Sequence, residues 1–175
     1  MVDLSHSLQV ELSGKMLIVA FLIDDMMFEG DFLDHIEKAV EIKAPPEKVW
    51  ELISDLERIP EWARGYVQRE EITSEQRRGV GTTTSEIGVS FGKGYSKTFK
   101  VIEWVEKEKI TFRSTSGWLW KGSWIMKPTE AGTMFTYSVD FELPPGMEKL
   151  RLSFYKRYEK LIEEWTQNIK NLVEK

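Results

Sequence analysis

The chain has 175 residues, of which 41% are hydrophobic and 30% charged, enough for one globular domain with a buried core. Its formal net charge of −5 gives no electrostatic reason to expect a nucleic-acid partner, so none is predicted. Cysteine is absent, which excludes disulfides, thiolate nucleophiles and cysteine zinc sites and is typical of a reducing compartment, so we predict a cytoplasmic protein.

Residues 1–34 are predicted to be an N-terminal extension, and the sequence leaves two interpretations of it open. The alternating segment LQVEL and the apolar run MLIVAFLI flank Ser-Gly-Lys, which is typical of a β-hairpin. The alternative is that the first residues were mis-assigned as coding sequence, and that translation begins at Met26 or Met27. The apolar run is far shorter than the ~20 residues that cross a bilayer, and it follows acidic residues, so we predict neither a signal peptide nor a membrane helix.

Residues 35–65 change from a strand pattern to a helical pattern. Alternating apolar residues over 35–44 predict a first strand. A helix is predicted to begin at Pro46, because proline suits the first helical position, where its missing N–H would have no partner. Pro60 interrupts this helix, and the segment IPEWARG predicts a second short helical turn that ends at Gly65.

Six further strands are predicted from apolar runs separated by turn residues. They span about 66–73, 80–91, 95–106, 108–115, 118–127 and 133–142. The separators contain glycine or charge, as hairpin turns require, so consecutive strands are predicted to pair antiparallel. The inward face is ambiguous where Phe99 and Val101 share one parity and Ile102 and Trp104 share the other. A β-bulge near Glu103 would reconcile them.

The segment after Pro-Pro-Gly predicts a long amphipathic helix of about 27 residues. Its apolar stripe, at steps of three and four, comprises Met147, Leu150, Phe154, Tyr158, Leu161, Trp165, Ile169 and Leu172. A helix of this length needs a sheet of similar length to cover its apolar face. The predicted fold class is therefore α+β: a seven-stranded curved antiparallel sheet wrapped around a long C-terminal helix, with two short helices after the first strand.

The segment GWLWKGSW places three of the seven tryptophans on one strand face. Trp118, Trp120 and Trp124 share a parity, whereas Lys121 and Lys127 lie on the other face. Burying two unpaired lysines would cost more than exposing two aliphatic side chains, so the tryptophans are predicted to point toward the helix. An interior with so many large rings is compatible with either a filled core or a cavity.

Four segments, followed by the long helix, carry a family resemblance. They are VEIKAPPEKVWELISDLERIPEW at 40–62, GVGTTT at 79–84, VIEW at 101–104 and GSWIMKPTEAGTMFTYSVDFELP at 122–144. In this order they resemble the polyketide cyclase/dehydrase and lipid-transport family of the START-like, Bet v 1-like (SRPBCC) superfamily. The resemblance covers residues 35–175 and implies one helix-grip domain with an elongated cavity between helix and sheet. Members bind sterols, lipids, quinones, hormones or polyketide intermediates, and a minority catalyse cyclisation or dehydration.

Ten aromatic residues are predicted to contact a ligand in such a cavity. They are Trp62, Phe99, Phe112, Trp118, Trp120, Trp124, Phe135, Tyr137, Phe154 and Tyr158. Large rigid rings supply much apolar contact area, and indole N–H and phenol O–H groups can fix the orientation of a bound molecule.

Neither a metal site nor a cofactor is predicted, because His6 and His35 lie before or at the edge of the matched segment and away from any acidic cluster. The remaining candidates for proton transfer are Glu86, Tyr95, Glu103, Arg113 and Tyr137. Only Tyr137 lies on a face predicted to point inward. It is therefore the one catalytic candidate, and packing is the more common role of a core tyrosine.

The favoured hypothesis is a non-catalytic carrier that encloses a hydrophobic small molecule, such as a lipid, a quinone or a polyketide-like compound. The first alternative is a cyclase or dehydratase that acts on a polyketide-like substrate. The second is a protein-interaction module, and the extension could form a homodimer by adding strands to a sheet edge. The low content of Asn (2) and Gln (4) against abundant Glu and Lys is typical of a thermophilic protein.

Overall fold

The computed structural model describes residues 34–175 except Phe91, Pro144, Pro145 and Met147, and except the side chain of Glu148. The strands are β1 (Asp34–Ile42), β2 (Val67–Ile72), β3 (Thr83–Ser90), β4 (Lys93–Val105), β5 (Lys109–Ser114), β6 (Trp120–Thr129) and β7 (Gly132–Phe141). The helices are α1 (Pro46–Ile53), α2 (Ile59–Trp62) and α3 (Arg151–Val173), with 3₁₀ turns at Leu56–Arg58 and Glu148–Leu150. The N-terminal hairpin and a dimer contact through it concern residues outside the described part of the chain and stay predictions.

The seven strands form one antiparallel sheet in the order β1-β7-β6-β5-β4-β3-β2. Consecutive strands from β2 to β7 pair with each other, and β1 pairs with β7, so that Ile42 lies opposite Thr133. Helix α3 packs against β1 and β7 and also contacts α1 and α2. This arrangement confirms the predicted α+β helix-grip fold, with its two short helices after the first strand.

Proline and glycine positions define the two short helices. Pro46 occupies the first turn of α1, where its missing N–H breaks no hydrogen bond. The buried face of α1 consists of Val49, Trp50, Leu52 and Ile53. Helix α2 ends at Trp62, and the chain then turns through Gly65, whose φ of +78° favours glycine. These breaks leave Trp62 and the following Ala63 fully buried in the core.

Helix α3 is shorter than predicted, with 23 residues, and it begins at Arg151 rather than near Met147. No side chain caps its first turn, and a 3₁₀ turn precedes it, as is common at helix N-termini. Arg151, the first residue of the helix, forms a salt bridge of 2.9 Å with Asp34 on β1. On the buried face, Ile162 rather than Leu161 is fully buried, because a 3.6-residue period places it in line with Tyr158 and Trp165.

The β-bulge predicted near Glu103 is confirmed. Val101 pairs with Phe112 and Glu103 with Thr111, so Ile102 is an extra residue in β4, and it is 36% exposed. Because the extra residue offsets the alternation, apolar side chains before and after the bulge can lie on the same face of the sheet. The interior-facing residues of β4 before the bulge are Tyr95, Lys97, Phe99 and Val101.

Strand β6 has the predicted inward face. Trp120 and Trp124 are buried, whereas Lys121 is half-buried and Lys127 is exposed. Trp118 precedes the strand and is half-buried. The adjacent strand β7 buries Phe135, Tyr137, Val139 and Phe141 at alternate positions. The aromatic interior expected from the sequence is therefore present.

Candidate functional site

A cavity with a volume of about 50 Å³ lies in the core of the domain. It is bounded by α2, α3 and the inner face of strands β2 to β7. This volume is room for a few water molecules, so the rings fill most of the interior. Six of the ten predicted ligand contacts line it, namely Trp62, Phe99, Phe112, Trp120, Trp124 and Tyr137.

The aromatic wall is organised around Trp62 on α2. Its ring centroid lies 5.5 Å from that of Trp124, 6.4 Å from that of Tyr137 and 6.0 Å from that of Trp165. All three contacts are edge-to-face, the arrangement that the charge distribution of aromatic rings favours. A residue on a single helical turn therefore connects the sheet to the long helix at the cavity.

The other four predicted contacts lie away from the cavity lining. Phe135 is fully buried between β1 and β6, opposite Val40. Phe154 and Tyr158 are buried on α3, and the Tyr158 hydroxyl shares a hydrogen bond of 3.1 Å with that of Tyr66. The ring of the fourth, Trp118, lies beside the buried amine of Lys97.

Two glutamates line one side of the cavity. Glu70 on β2 is only 5% exposed, and Glu86 on β3 lies opposite it in the sheet. Burial, together with the nearby charge of Glu86, raises the pKa of Glu70 to about 8. Burial also raises the pKa of Glu86, although a 2.8 Å hydrogen bond donated by the Tyr95 hydroxyl and the charge of Lys97 both oppose the rise. At neutral pH, Glu70 is therefore mainly a neutral carboxylic acid.

A buried amine faces the same cavity. Lys97 on β4 is 8% exposed, and its Nζ lies 3.9 Å from the centroid of the Trp118 ring and 5.5 Å from that of Trp120. Burial lowers the pKa of Lys97 to about 8, although the charge of Glu86 opposes this shift. The cation–π contacts stabilise the protonated form in place of a salt bridge.

Several polar atoms at the cavity wall are buried without a hydrogen-bond partner among the described residues. They include Trp62 Nε1, Trp165 Nε1, Glu70 Oε2 and Thr82 Oγ1. Buried polar groups are normally satisfied, and an unsatisfied one costs roughly 1–3 kcal/mol. Their concentration around one cavity indicates a space that a polar group or water can enter.

The residues considered for proton transfer separate into two groups. Glu86, Tyr95 and Tyr137 line the cavity, and burial raises the pKa of both tyrosines above the ordinary value. Glu103 instead forms a 2.7 Å salt bridge with Lys109, which lowers its pKa. Arg113, opposite Lys121 in the sheet, is not part of the lining either.

His35, one of the two histidines, lies at the surface of the domain. His35 Nδ1 lies 2.7 Å from a carboxylate oxygen of Asp140 on the exposed side of the sheet. His6 lies outside the described residues. Within residues 34–175 as described, no three His, Asp or Glu side chains are grouped so that they could hold a metal ion. The helices of the same region are all too short or too polar to cross a bilayer.

Five polar residues of the cavity wall were not predicted from the sequence. They are Tyr66, Glu70, Thr82, Thr84 and Lys97. Extending the parity of Phe99 and Val101 backwards along β4 would have placed Lys97 inside, but the competing parity beyond the bulge obscured that signal. Glu70 gave no signal, because β2 is mostly polar and contains its own register shift between Val67 and Arg69.

Comparison with known proteins places this architecture in a family. The family model for polyketide cyclase/dehydrase and lipid transport matches residues 34–174. The chain belongs to this family. No curated protein sequence matches the chain.

Solved structures of similar fold extend this family assignment at the level of architecture. The protein TTHA0849 from Thermus thermophilus has 23% identity and a TM-score of 0.70, covering 80% of this chain and 97% of that one. The Zhui aromatase/cyclase from Streptomyces sp. R1128 has 16% identity and a TM-score of 0.67, covering 82% and 94%. Ginseng major latex-like protein 151 from Panax ginseng has 14% identity and a TM-score of 0.63, covering 79% and 96%. At these identities the likeness shows that these proteins and the present chain share a fold.

Proposed function

We propose that this family member binds and carries a hydrophobic small molecule, such as a lipid, a quinone or a polyketide-like compound, in its aromatic-walled cavity. The supporting observation is the set of unpartnered polar atoms on a wall built mainly of aromatic and aliphatic side chains. Ligand sites typically combine such apolar walls with a few polar groups that fix orientation. The description of the family, polyketide cyclase/dehydrase and lipid transport, favours a lipid or polyketide-like compound as the ligand class.

The free polar atoms favour a ligand that carries a hydrogen-bond acceptor. The indole N–H groups of Trp62 and Trp165 can only donate. The Glu70 carboxyl donates a hydrogen bond as well when it is protonated, and the Thr82 hydroxyl can donate or accept one. A carbonyl, quinone or ether oxygen would satisfy these donors, while the rest of the molecule would lie against the rings of the wall.

The size of the cavity requires the wall to move when a ligand binds. A volume of about 50 Å³ is smaller than the engineered cavity of ~150 Å³ that accepts benzene in another protein. Trp62 is the side chain best placed to move, because it lies on the single turn of α2 and its neighbours are aromatic edges. Binding is therefore expected to displace this ring and the short helix that carries it.

Filling the cavity tests the proposal. Ala63 is fully buried and lines the cavity directly after α2, so Ala63→Leu would add three carbon atoms to a space of about 50 Å³. We expect Ala63→Leu to weaken binding of hydrophobic ligands by at least about tenfold, roughly 1.4 kcal/mol. Binding is measured by quenching of tryptophan fluorescence and by isothermal calorimetry, with a fatty acid, a benzoquinone and an aromatic ketone.

The matched control is Ala39→Leu, because Ala39 is exposed on β1. Circular dichroism and the thermal midpoint establish that both variants are folded. Equal affinities for the wild type, Ala63→Leu and Ala39→Leu would contradict the proposed binding site, because the ligand would then occupy another surface.

A second candidate function is favoured by the acid–base groups of the cavity. Glu70 and Glu86 are two carboxyl groups with raised pKa values beside a Lys97 with a lowered one. Groups with shifted pKa values in a cavity are candidates for proton transfer. This observation supports a cyclase or dehydratase acting on a polyketide-like substrate. That function requires the carboxyl groups for turnover, whereas a carrier requires only the cavity.

The location and assembly of the protein are proposed on sequence grounds. The cysteine-free, acidic composition supports a cytoplasmic protein without a nucleic-acid partner. The N-terminal extension supports a homodimer formed by strand addition at a sheet edge.

A further inference from the structure

Lys97 differs from a typical surface lysine in its position. Only 8% of it is exposed, and it faces the cavity from β4, between Tyr95 and Phe99. Its Nζ lies against the faces of Trp118 and Trp120. The amine is thus held inside the domain at the wall of the cavity.

Among the described residues, no anion or hydrogen-bond acceptor in direct contact holds the Lys97 amine in its protonated form. Within the described part of the chain, it forms neither a salt bridge nor a hydrogen bond, and Glu86 acts on it only through its charge. Burial lowers its pKa to about 8, so about a tenth of the amine is neutral at pH 7, far more than for an ordinary lysine. A desolvated lysine of this kind is a nucleophile toward carbonyl carbon.

Proton donors and acceptors line the same cavity. Glu70 is largely protonated at neutral pH, and Glu86 accepts a hydrogen bond from Tyr95. Addition of an amine to a carbonyl needs a donor for the developing oxyanion and an acceptor for the ammonium proton. The two carboxyl groups and the tyrosine supply both kinds of group.

We propose that Lys97 forms an imine with the aldehyde or ketone group of a ligand held in the cavity. This inference rests on the proposed binding function, because the carbonyl compound must first enter the cavity. It specifies the ligand class as a hydrophobic carbonyl compound and Nζ of Lys97 as the atom that captures it.

The step is balanced without an oxidant or a cofactor. The nitrogen lone pair attacks the carbonyl carbon, and the π electrons of the C=O bond move to oxygen. The two protons of the neutral amine pass through the cavity carboxyl groups to that oxygen. The C–O bond then breaks, oxygen leaves as water, and a C=N bond remains. Hydrolysis reverses the step and releases the ligand.

Reductive trapping with benzaldehyde and sodium cyanoborohydride tests the proposal, since the reductant converts an imine into a stable benzylamine. The protein is treated at pH 7, digested and analysed by peptide mass spectrometry. Lys97 is expected to be benzylated at least about tenfold faster than any exposed lysine. Lys97→Met should lose this label, whereas Lys100→Met, an exposed lysine on the same strand, should keep it.

Binding of benzyl alcohol, which has the same shape but no carbonyl, separates the two proposals. If benzyl alcohol binds in the cavity but the label appears only on exposed lysines, the imine is refuted and the binding function stands. If neither compound binds, both proposals fail. Benzyl alcohol binding by Lys97→Met would show that this variant is folded and has lost only the reaction.

Discussion

Replacing Trp124 with alanine is expected to lower the free energy of unfolding by about 3–5 kcal/mol. Trp124 is among the largest fully buried side chains, and its ring contacts Trp62, Phe112 and Tyr137. Truncation removes the apolar transfer free energy of an indole and leaves a cavity that the rigid neighbouring rings cannot close. Urea unfolding followed by circular dichroism measures the change.

Trp104→Ala is the matched control for this prediction. Trp104 is half-buried, and its Nε1 donates a 3.1 Å hydrogen bond to Glu106 at the surface. Loss of the Trp104 ring should lower the free energy of unfolding by less than half as much, because the ring lies at the edge of the core and part of its surface already contacts water. Equal losses for Trp124→Ala and Trp104→Ala would show that the aromatic centre does not carry the stability assigned to it.

Stability is expected to fall as the pH rises from about 4.5 to about 8, and Glu70→Gln should remove much of this fall. The pKa of Glu70 is about 8 in the folded protein and 4.5 as a free group, so the folded state binds more protons between these values. The contribution of protonated Glu70 to the free energy of unfolding is fully present below pH 4.5 and is lost by about pH 8. A shift of this size corresponds to roughly 3–5 kcal/mol.

Lys97 affects the pH dependence of stability in the opposite direction and over a separate pH range. Its pKa is lowered from 10.5 to about 8, so the unfolded state binds more protons between these values and stability rises with pH there. The two effects together predict a minimum of stability near pH 8. Urea titrations between pH 4.5 and pH 10 test the sign of each.

The control for the pH experiment is Glu71→Gln, on an exposed side chain next to Glu70. Glu71→Gln should keep the pH profile of the wild type, whereas Glu70→Gln should be flatter below pH 8 and more stable near it. A Glu70→Gln profile that runs parallel to the wild type would mean that Glu70 does not remain protonated in the core.

The sequence was sufficient to predict the fold because its signals were redundant. Alternation along β7, the lysines opposite Trp120 and Trp124 on β6, and the long stripe of α3 all indicate one arrangement around a single core. The resemblance of four ordered segments agrees with that arrangement. Where one signal was weak, as at the start of α3, the prediction differed from the structure by about one helical turn.

The polar part of the site was harder to predict because charged residues carry no periodic signal of burial. Glu70 follows Gln68 and Arg69, which are both exposed, and the register shift in β2 turns Glu70 inward. Lys97 lies between half-buried Thr98 and exposed Ser96 on a strand that is mostly polar at this end. The general preference of charged side chains for water would have assigned both to the surface.

The size of the cavity could not be read from the sequence because it depends on how the rings interlock. The same inward aromatic residues are compatible with a larger chamber, yet Trp62 fills the centre by contacting three other rings. Four predicted contacts, including Phe135 and Phe154, instead pack outside the cavity lining. Rotamers and the position of the short α2 helix decide this outcome.

The most direct test of the binding function is a ¹H–¹⁵N spectrum of the indole N–H groups during titration with an aromatic ketone, acetophenone. Trp62 and Trp165 have free indole N–H groups at the cavity, whereas those of Trp50 and Trp104 donate to Glu106 outside it. We expect saturable shifts of the Trp62 and Trp165 signals, with little change for Trp50 and Trp104. Cavity signals that stay fixed while the ketone saturates, or that shift no more than those of Trp50 and Trp104, would contradict the binding function.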